Sequence, residues 1–205
     1  YICNTSTPSL VFDSRFESGN MERVLRVYGR ANPPVAANTV IHQEYDCYVR
    51  KDLYTCGSSQ WFYFSASNSG ISVKDLQSVS RTGAGAGASS AFAPLTVRFN
   101  IVNMLKKDSL YNYGMKVAAY SARGAESGQR VGWHRAGEFI CYYRNGLTVA
   151  KKSKKKKRRR PLYSVTFTYT FRHPGDTVHF AYCFPYTYTD LQNYLATMET
   201  DETKR

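Results

Sequence analysis

The sequence predicts a mostly-β protein: an antiparallel β-sandwich of about seven to nine strands with a short C-terminal helix. Many short segments alternate between bulky apolar and polar residues, which is the pattern of half-buried strands. Residues that favour turns separate those segments, and no long helical period occurs before residue 189. The composition agrees, because 17 Tyr and 11 Phe enrich the chain in side chains that suit pleated surfaces.

The predicted strands follow one another through most of the chain. The clearest covers 162–171, where a bulky apolar residue occupies every second position from Tyr163 and Ser or Thr fills the positions between. A His-Pro-Gly-Asp turn at 173–176 separates it from the last strand. In chain order the predicted strands are 10–16, 23–28, 44–49, 60–66, 95–103, 116–121, 138–143, 162–171 and 177–183.

The period changes after Pro185 and predicts a helix over 189–198. Thr189 and Gln192 have the spacing of a capping box, and Asp190 suits the first turn electrostatically. The apolar positions i, i+3, i+4 and i+7 of this helix are Leu191, Tyr194, Leu195 and Met198. We therefore expect residues 1–184 to form the sandwich domain, and residues 185–205 to begin a further domain.

Two segments are predicted to be flexible insertions between strands. Residues 78–94 contain a Gly/Ala/Ser tract that buries too little surface to order itself. Residues 146–161 contain a basic run whose like charges repel one another, which favours a mobile loop. That run consists of Lys151, Lys152, Lys154, Lys155, Lys156, Lys157, Arg158, Arg159 and Arg160. These nine cations dominate the net charge of +13 and leave +4 for the rest of the chain, so the basicity is expected to be local.

The five cysteines are scattered and form no Cys-x-x-Cys pair, so neither a zinc ribbon nor a disulfide framework is indicated. Buried free thiols in a reducing, intracellular compartment are the favoured interpretation. No apolar run is long enough to span a membrane.

No catalytic constellation is evident in the sequence. His173, Asp176 and His179 invite comparison with a metal site, but His-Pro-Gly-Asp is ordinary turn chemistry, which is the favoured interpretation. The basic run is the one feature with evident binding potential: a nuclear localisation signal, a tether for nucleic acid or an anchor for an acidic partner. A solvated insertion without a partner is an equal alternative. The run lacks interleaved aromatic residues, which disfavours single-stranded nucleic acid.

Several strings in order resemble the N-terminal domain of the cytosolic carboxypeptidases, the metallocarboxypeptidase subfamily that removes glutamates from tubulin and other proteins. The strings are Phe12-Asp-Ser-Arg-Phe-Glu-Ser-Gly-Asn20, Gln60-Trp-Phe-Tyr-Phe64, Arg98-Phe-Asn-Ile-Val-Asn103, Tyr111-Asn-Tyr-Gly-Met115, Trp133 with Arg135 and Gly137, Ile140-Cys-Tyr-Tyr143 with Asn145, Phe180-Ala-Tyr182, and Pro185-Tyr-Thr-Tyr188. The resemblance covers nearly the whole chain except 1–9, about 29–43 and the two insertions.

The resemblance implies a non-catalytic β-sandwich that packs on a zinc carboxypeptidase domain and helps to shape substrate access. It implies zinc in that following domain, with no catalytic or metal residue and no cofactor in this chain. The expected partners are its own catalytic domain and acidic protein tails such as glutamylated tubulin, but not nucleic acid or a membrane. The expected location is the cytoplasm, with the basic run as a candidate signal for nuclear import.

Two sets of binding residues are expected, the first from the charge of an insertion that departs from the family pattern and the second from the resemblance. The basic run, Lys151 to Arg160, is expected to attract acidic substrates or partners. The expected interface with the catalytic domain consists of Trp61, Tyr63, Tyr186, Tyr188, Leu191, Tyr194 and Leu195. The alternative is a stand-alone β-sandwich module that binds nucleic acid or acidic proteins through its basic loop.

Overall fold

Ten strands and three short helical segments make up the described part of the computed structural model, which covers residues 9–28, 43–55, 58–68, 94–129, 132–151 and 158–200. The strands are β1 (Val11–Asp13), β2 (Met21–Val27), β3 (Gln43–Val49), β4 (Tyr63–Ser67), β5 (Leu95–Met104), β6 (Val117–Ser121), β7 (His134–Ala136), β8 (Glu138–Lys151), β9 (Arg158–Phe171) and β10 (Thr177–Ala181). A 3₁₀ helix covers Leu110–Tyr113, and the α-helices are α1 (Ala122–Glu126) and α2 (Tyr188–Thr200).

The strands form two five-stranded sheets, which confirms the predicted β-sandwich. The first sheet has the order β1-β4-β10-β6-β7, and the second has the order β2-β3-β5-β9-β8. Two details differ from the prediction. The short strand β7 brings the described strands to ten, one above the predicted range. The β3–β5 pair is parallel, although every other pair in the described sheets is antiparallel.

A cluster of phenylalanines fills the space between the sheets. Phe64 and Phe180 project inward from the first sheet, and Phe99 and Phe167 project inward from the second; all four side chains are fully buried. The ring centroids of Phe99 and Phe180 are 5.1 Å apart, and those of Phe64 and Phe99 are 6.0 Å apart. Each such aromatic pair contributes about 0.5–1.5 kcal/mol beyond the area that it buries. The alternation visible in the sequence therefore builds one shared core.

Asparagine side chains complete hydrogen bonds that the strand ladders leave open. Asn103 Oδ1 accepts from the backbone N–H of Val49 at 3.0 Å, and its Nδ2 donates to the Val49 carbonyl at 2.7 Å. Asn20 bonds to the backbone of two different residues in the same way. Its Oδ1 accepts from Tyr63 N at 2.9 Å, and its Nδ2 donates to Trp61 O at 2.8 Å. Buried backbone groups need such partners, so these amides fix the ends of the strands.

The prediction of a flexible loop over 146–161 is wrong at both ends of that range. Residues 146–151 continue β8 and residues 158–161 begin β9, so the two long strands form an antiparallel ribbon. The register pairs Thr148 with Pro161 and Ala150 with Arg159. Charge repulsion does not prevent this pairing, because the backbone ladder and side-chain hydrogen bonds hold the ribbon. Residues 152–157, and all of the predicted 78–94 insertion except Pro94, lie outside the described residues.

The cysteines meet the prediction in part. Cys47 is fully buried in the core, and burial raises the pKa of its thiol, so it is an unreactive packing residue. Cys141 is exposed, however, and Cys183 is half-buried. The expectation of a buried thiol is therefore wrong for Cys141, which is exposed on β8.

Candidate functional site

The described residues do not build a metal site. They contain no group of three or more His, Cys, Asp and Glu side chains that could hold a metal ion. The predicted turn at His173 is confirmed: Gly175 has a φ of 61°, and Asp176 is buried. Asp176 Oδ2 accepts from Ser121 Oγ at 2.7 Å, and its Oδ1 accepts from Arg123 N at 3.1 Å. The Asp176 carboxylate thus secures the turn against α1, and these residues do not fit a zinc centre.

A tight turn at residues 16–19 connects the features that the sequence singled out. Trp61 Nε1 donates to the Ser18 carbonyl at 2.9 Å, and Glu17 Oε1 accepts from the Thr189 N–H at 3.0 Å. One short turn therefore holds the Trp61 ring on one side and the first turn of α2 on the other. Gly19 is required there, since a Cβ at that position would lie 2.3 Å from the Ser14 carbonyl oxygen.

The outer face of the first sheet carries a half-buried aromatic cluster. The Tyr63 ring lies 4.7 Å from Phe16 and 5.7 Å from Trp133, measured between ring centroids. His179 sits among them, 5.3 Å from Phe16 and 6.2 Å from Tyr120. Burial lowers the pKa of the His179 imidazole, which favours its neutral form. Aromatic groups gathered on the outside of a sheet are typical of a surface that contacts another protein segment.

Beside this cluster lies a cavity of about 630 Å³ whose lining is aromatic and charged. Trp61, Phe184 and Tyr186 are the aromatic residues of its lining, which also includes the charged residues Arg50, Lys51 and Asp52. The guanidinium of Arg135 lies 4.7 Å from the centre of the Phe184 ring and orients it. Phe184 is 48% exposed and Tyr186 is 65% exposed, so this part of the lining is open to solvent.

The C-terminal helix is anchored at its start and exposes most of its predicted apolar face. It covers Tyr188–Thr200, close to the predicted 189–198, and none of its residues is buried. The predicted apolar face is exposed: Leu191 by 37%, Tyr194 by 56% and Leu195 by 44%. Short helices gain most of their stability from tertiary packing, so an apolar face this exposed is suited to contact with another protein segment.

The predicted capping box of this helix is wrong by two residues. Thr187, rather than Thr189, is the capping residue, and Asp190, rather than Gln192, completes the box. The Thr189 N–H instead donates to Glu17. Both pairs have the same spacing, so the local sequence alone cannot choose between them.

The predicted interface residues lie in three places: the cavity, the aromatic cluster and α2. Trp61 and Tyr186 line the cavity, and Tyr63 belongs to the aromatic cluster. Burial raises the pKa of Tyr63, and the nearby carboxylate of Asp190 adds to the shift, which puts the start of α2 close to that cluster. The remaining residues, Tyr188, Leu191, Tyr194 and Leu195, lie on the exposed helix. We call the seven residues together the docking surface.

Sequence reasoning missed three residues that organise this surface. Glu17 anchors α2, Phe16 packs on Tyr63, and Phe184 lines the cavity under Arg135. Phe16 and Glu17 belong to a string that carried the family resemblance, yet nothing local in that string indicated contact with the distant helix. These residues could be seen to match the family, but the sequence did not indicate what they contact.

The structure describes only the two ends of the predicted basic run. Lys151 is the last residue of β8, and Arg158, Arg159 and Arg160 are the first residues of β9. The lysines at 152 and 154–157 lie outside the described residues. Arg159 and Arg160 are exposed, and both are held by hydrogen bonds of the ribbon and its base.

No helix in the described part of the chain is long and apolar enough to cross a membrane.

Comparison with known proteins identifies clear relatives. The chain is 36% identical over 193 residues to cytosolic carboxypeptidase 3 of Mus musculus, a match that covers 94% of this chain and 15% of that protein. It is 38% identical over 187 residues to cytosolic carboxypeptidase 2 of Homo sapiens, covering 91% of this chain and 16% of the relative. The chain thus spans about one sixth of the length of the curated relatives it matches. No family model matches it.

Among solved structures, a metallo-carboxypeptidase from Burkholderia cenocepacia superposes with a TM-score of 0.45 at 14% sequence identity. That superposition covers 94% of this chain and 33% of the bacterial chain.

Proposed function

Since the chain belongs to the cytosolic carboxypeptidases, as part of their N-terminal domain, we propose that it is the non-catalytic β-sandwich domain of a zinc metallocarboxypeptidase. The parent enzyme would remove C-terminal or side-chain glutamates from tubulin and other proteins. The domain would pack on the catalytic domain and help to shape the access of substrate to it. The proposed location is the cytoplasm, which the names of the relatives support.

The main observation that supports this proposal is that α2 is capped and anchored at its start but has exposed leucines. The chain caps the helix through Thr187 and Asp190 and anchors it to Glu17, yet leaves Leu191 and Leu195 exposed. Burying a leucine side chain contributes about 1.5–3 kcal/mol, so an exposed row of such residues on a fixed helix is suited to an interface. The adjoining cavity at Trp61 enlarges the same apolar surface.

In this proposal the chain positions the catalytic domain and contributes no groups that react with the substrate. Its described residues contain no group of three or more side chains that could hold a metal ion. The proposal assigns the zinc and the groups that act on the peptide bond to the catalytic domain. What the domain contributes is a fixed platform: the 16–19 turn orients both the Trp61 ring and the start of α2. A catalytic domain held on that platform would have one face of its entrance lined by this chain.

The test is a pair of matched substitutions in the full-length protein. Leu191→Ser with Leu195→Ser removes apolar contacts from the docking surface. Leu110→Ser with Leu147→Ser changes two leucines that are also exposed but lie elsewhere, with exposures of 63% and 42%. The first variant should lower the thermal stability and the deglutamylating activity of the full-length protein, whereas the second should change neither. Equal effects of the two variants would remove the basis for the proposed interface.

The basic run is the proposed source of attraction for acidic tails. Lys152 and the lysines at 154–157 adjoin the ordered cations of the ribbon in sequence, and a concentrated positive charge raises the local concentration of polyanions. Replacing the nine basic residues of 151–160 by Ser in the full-length enzyme should slow turnover of glutamylated tails, mainly at low salt. An unchanged rate at low salt would contradict this role.

A second candidate function is favoured by the same charge. A stand-alone module would bind nucleic acid or acidic proteins through its basic residues without a catalytic domain. It predicts tight, salt-sensitive binding by the 205-residue chain alone and no dependence on the docking surface. The two functions therefore differ in whether Leu191 and Leu195 matter.

A further inference from the structure

Another cavity, of about 430 Å³, lies where the chain passes from the first sheet to the second, and we propose that it binds a small phosphate-bearing ligand. Its lining joins Ala136 of β7 and Glu138 of β8 to Thr170, near the end of β9. We call it the polar cavity. Its volume lies within the range of about 300–1,000 Å³ that is usual for small-molecule sites. This inference goes beyond the proposed function and does not rest on it.

The lining of the polar cavity carries more positive than negative charge. Among the described residues, Lys116, Arg135 and Arg172 line it together with one carboxylate, that of Glu138. None of these four side chains belongs to an ion pair in the described part of the protein. An anion that enters the cavity therefore meets cations that no ion pair neutralises, and the low-dielectric walls strengthen that attraction.

A buried hydroxyl in the lining lacks a hydrogen-bond partner. Thr168 is only 2% exposed, and its Oγ1 makes no hydrogen bond within the described structure. Buried polar groups are nearly always hydrogen-bonded, and an unpaired one lowers the stability of the fold. Because a hydroxyl donates to a phosphate oxygen, a bound phosphate would supply the partner that the protein does not. This observation is independent of the charge of the lining.

Hydrogen bonds hold the cationic parts of the lining in place. Arg135 Nη1 donates to the Lys116 carbonyl at 2.8 Å, which joins β7 to the residue before β6. Arg172 and His173 directly follow β9, and Asn68 Nδ2 donates to the His173 carbonyl at 2.9 Å. The backbone that carries the cations is thus fixed by the fold, so binding a ligand costs little additional ordering.

A phosphate fits these donors better than a carboxylate does. The donors come from separate parts of the chain: Lys116 precedes β6, Thr168 lies within β9, and Arg172 follows β9. A phosphate monoester has three acceptor oxygens in a tetrahedral arrangement and a charge of about −2, so it accepts from several sides at once. A carboxylate has two oxygens in one plane. An arginine can also bind phosphate through two parallel hydrogen bonds.

The third cation of the lining already has other contacts. Arg135 bonds to the Lys116 carbonyl, and its guanidinium lies over the Phe184 ring. We therefore assign Lys116, Thr168 and Arg172 to the ligand.

The test measures binding of inorganic phosphate, pyrophosphate and glycerol phosphate to the full-length protein by isothermal titration calorimetry. Lys116→Gln with Arg172→Gln removes two cations from the lining, and Lys106→Gln with Lys107→Gln removes two exposed cations outside it. The zinc proposed for the catalytic domain also attracts anions, so the effect is read as the difference between these variants. The first variant should weaken binding about tenfold or more, and the second less than about twofold. Equal affinities for the two variants would overturn the inference.

Two further variants separate ligand binding from folding. Thr168→Val removes the unpaired hydroxyl and keeps a branched side chain, so it should weaken phosphate binding about threefold or more without lowering the melting temperature. Glu138→Gln removes the carboxylate of the lining and should strengthen binding. Unchanged affinity after Thr168→Val, or weaker binding after Glu138→Gln, would overturn the proposed site.

Comparison of ligands tests the chemical class. Glutamate serves as the carboxylate control, and an equal loss of glutamate and phosphate binding in Lys116→Gln with Arg172→Gln would overturn the assignment to phosphate. Tighter binding of glycerol phosphate than of inorganic phosphate would support an organic phosphate as the ligand, and the reverse order would support a free phosphate. Binding is measured without turnover, so the result does not depend on whether the proposed function holds.

Discussion

Thr187 and Asp190 hold each other at the start of α2. Asp190 Oδ2 accepts from both the backbone N–H and the hydroxyl of Thr187, at 2.8 and 2.7 Å, and Thr187 Oγ1 accepts from the Asp190 N–H at 3.1 Å. This reciprocal capping satisfies donors that a helix leaves open at its N-terminus. The chain thus fixes where α2 begins, while no residue of the helix is buried.

Breaking the cap should loosen the helix without unfolding the sandwich. We expect Thr187→Ala to destabilise α2 by about 1 kcal/mol, the usual value of an N-cap. Amide hydrogen exchange in 188–195 should become faster in the 205-residue chain, and its melting temperature should hardly change because no residue of α2 is buried. Thr197→Ala, which removes a hydroxyl bonded within the helix to Asn193 O, is the control. A large fall in melting temperature after Thr187→Ala would show that α2 is part of the sandwich core.

The turn at 16–19 should tolerate no side chain at its glycine. A Cβ at Gly19 would lie 2.3 Å from Ser14 O, a backbone atom that cannot move without shifting the strand before it. We expect Gly19→Ala to lower the free energy of unfolding by about 1–3 kcal/mol. Gly146→Ala is the matched control, because a Cβ there meets no atom within 4 Å. Urea denaturation checks both; similar losses would mean that the turn is less constrained than the structure shows.

The aromatic cluster should make stability depend on pH through His179. Burial lowers the pKa of this imidazole below its ordinary value of 6.5, so the unfolded chain binds a proton more readily than the folded one. The stabilisation is complete above about pH 6.5 and is lost as the pH falls from there toward the depressed folded value. His179→Phe should flatten this decline while keeping the ring contacts.

The relevant measurement is the urea midpoint between about pH 7.5 and 5, a window above the range in which carboxylates titrate. The pKa values of Glu17 and Asp190 are lowered by their hydrogen bonds, so the stability they add is lost only at more acidic pH. An identical decline in the wild-type protein and His179→Phe would exclude the histidine as its cause.

The sequence predicted what depends on local pattern. Alternation over 162–171 placed β9, and the inward residues Phe167 and Phe171 are fully buried, as period two requires. Three of the predicted apolar positions of α2, Leu191, Tyr194 and Leu195, likewise share one exposed face, whereas Met198 is half-buried. These features follow from chain geometry within a single element and need no knowledge of its neighbours.

What the sequence could not predict depends on residues that are distant in the chain. The choice of Thr187 over Thr189 as the cap is accompanied by a bond from Thr189 N to Glu17, which is 172 positions away. The ribbon ends were expected to be loop, but Arg160 bonds to Leu105 O, and that carbonyl is fixed only in the folded sandwich. The parallel β3–β5 pair is also invisible locally, because a strand pattern does not specify its partner.

We expect the docking surface to be covered by the catalytic domain in the full-length protein. Hydrogen–deuterium exchange tests it directly, by comparing the same peptides of the 205-residue chain and of the full-length protein. We expect peptides covering 184–198 and Trp61 to exchange much more slowly in the full-length protein, while the 3₁₀ helix at Leu110–Tyr113, which lies outside the docking surface, exchanges equally in both. Equal exchange of 184–198 in the two proteins would show that the docking surface is not covered.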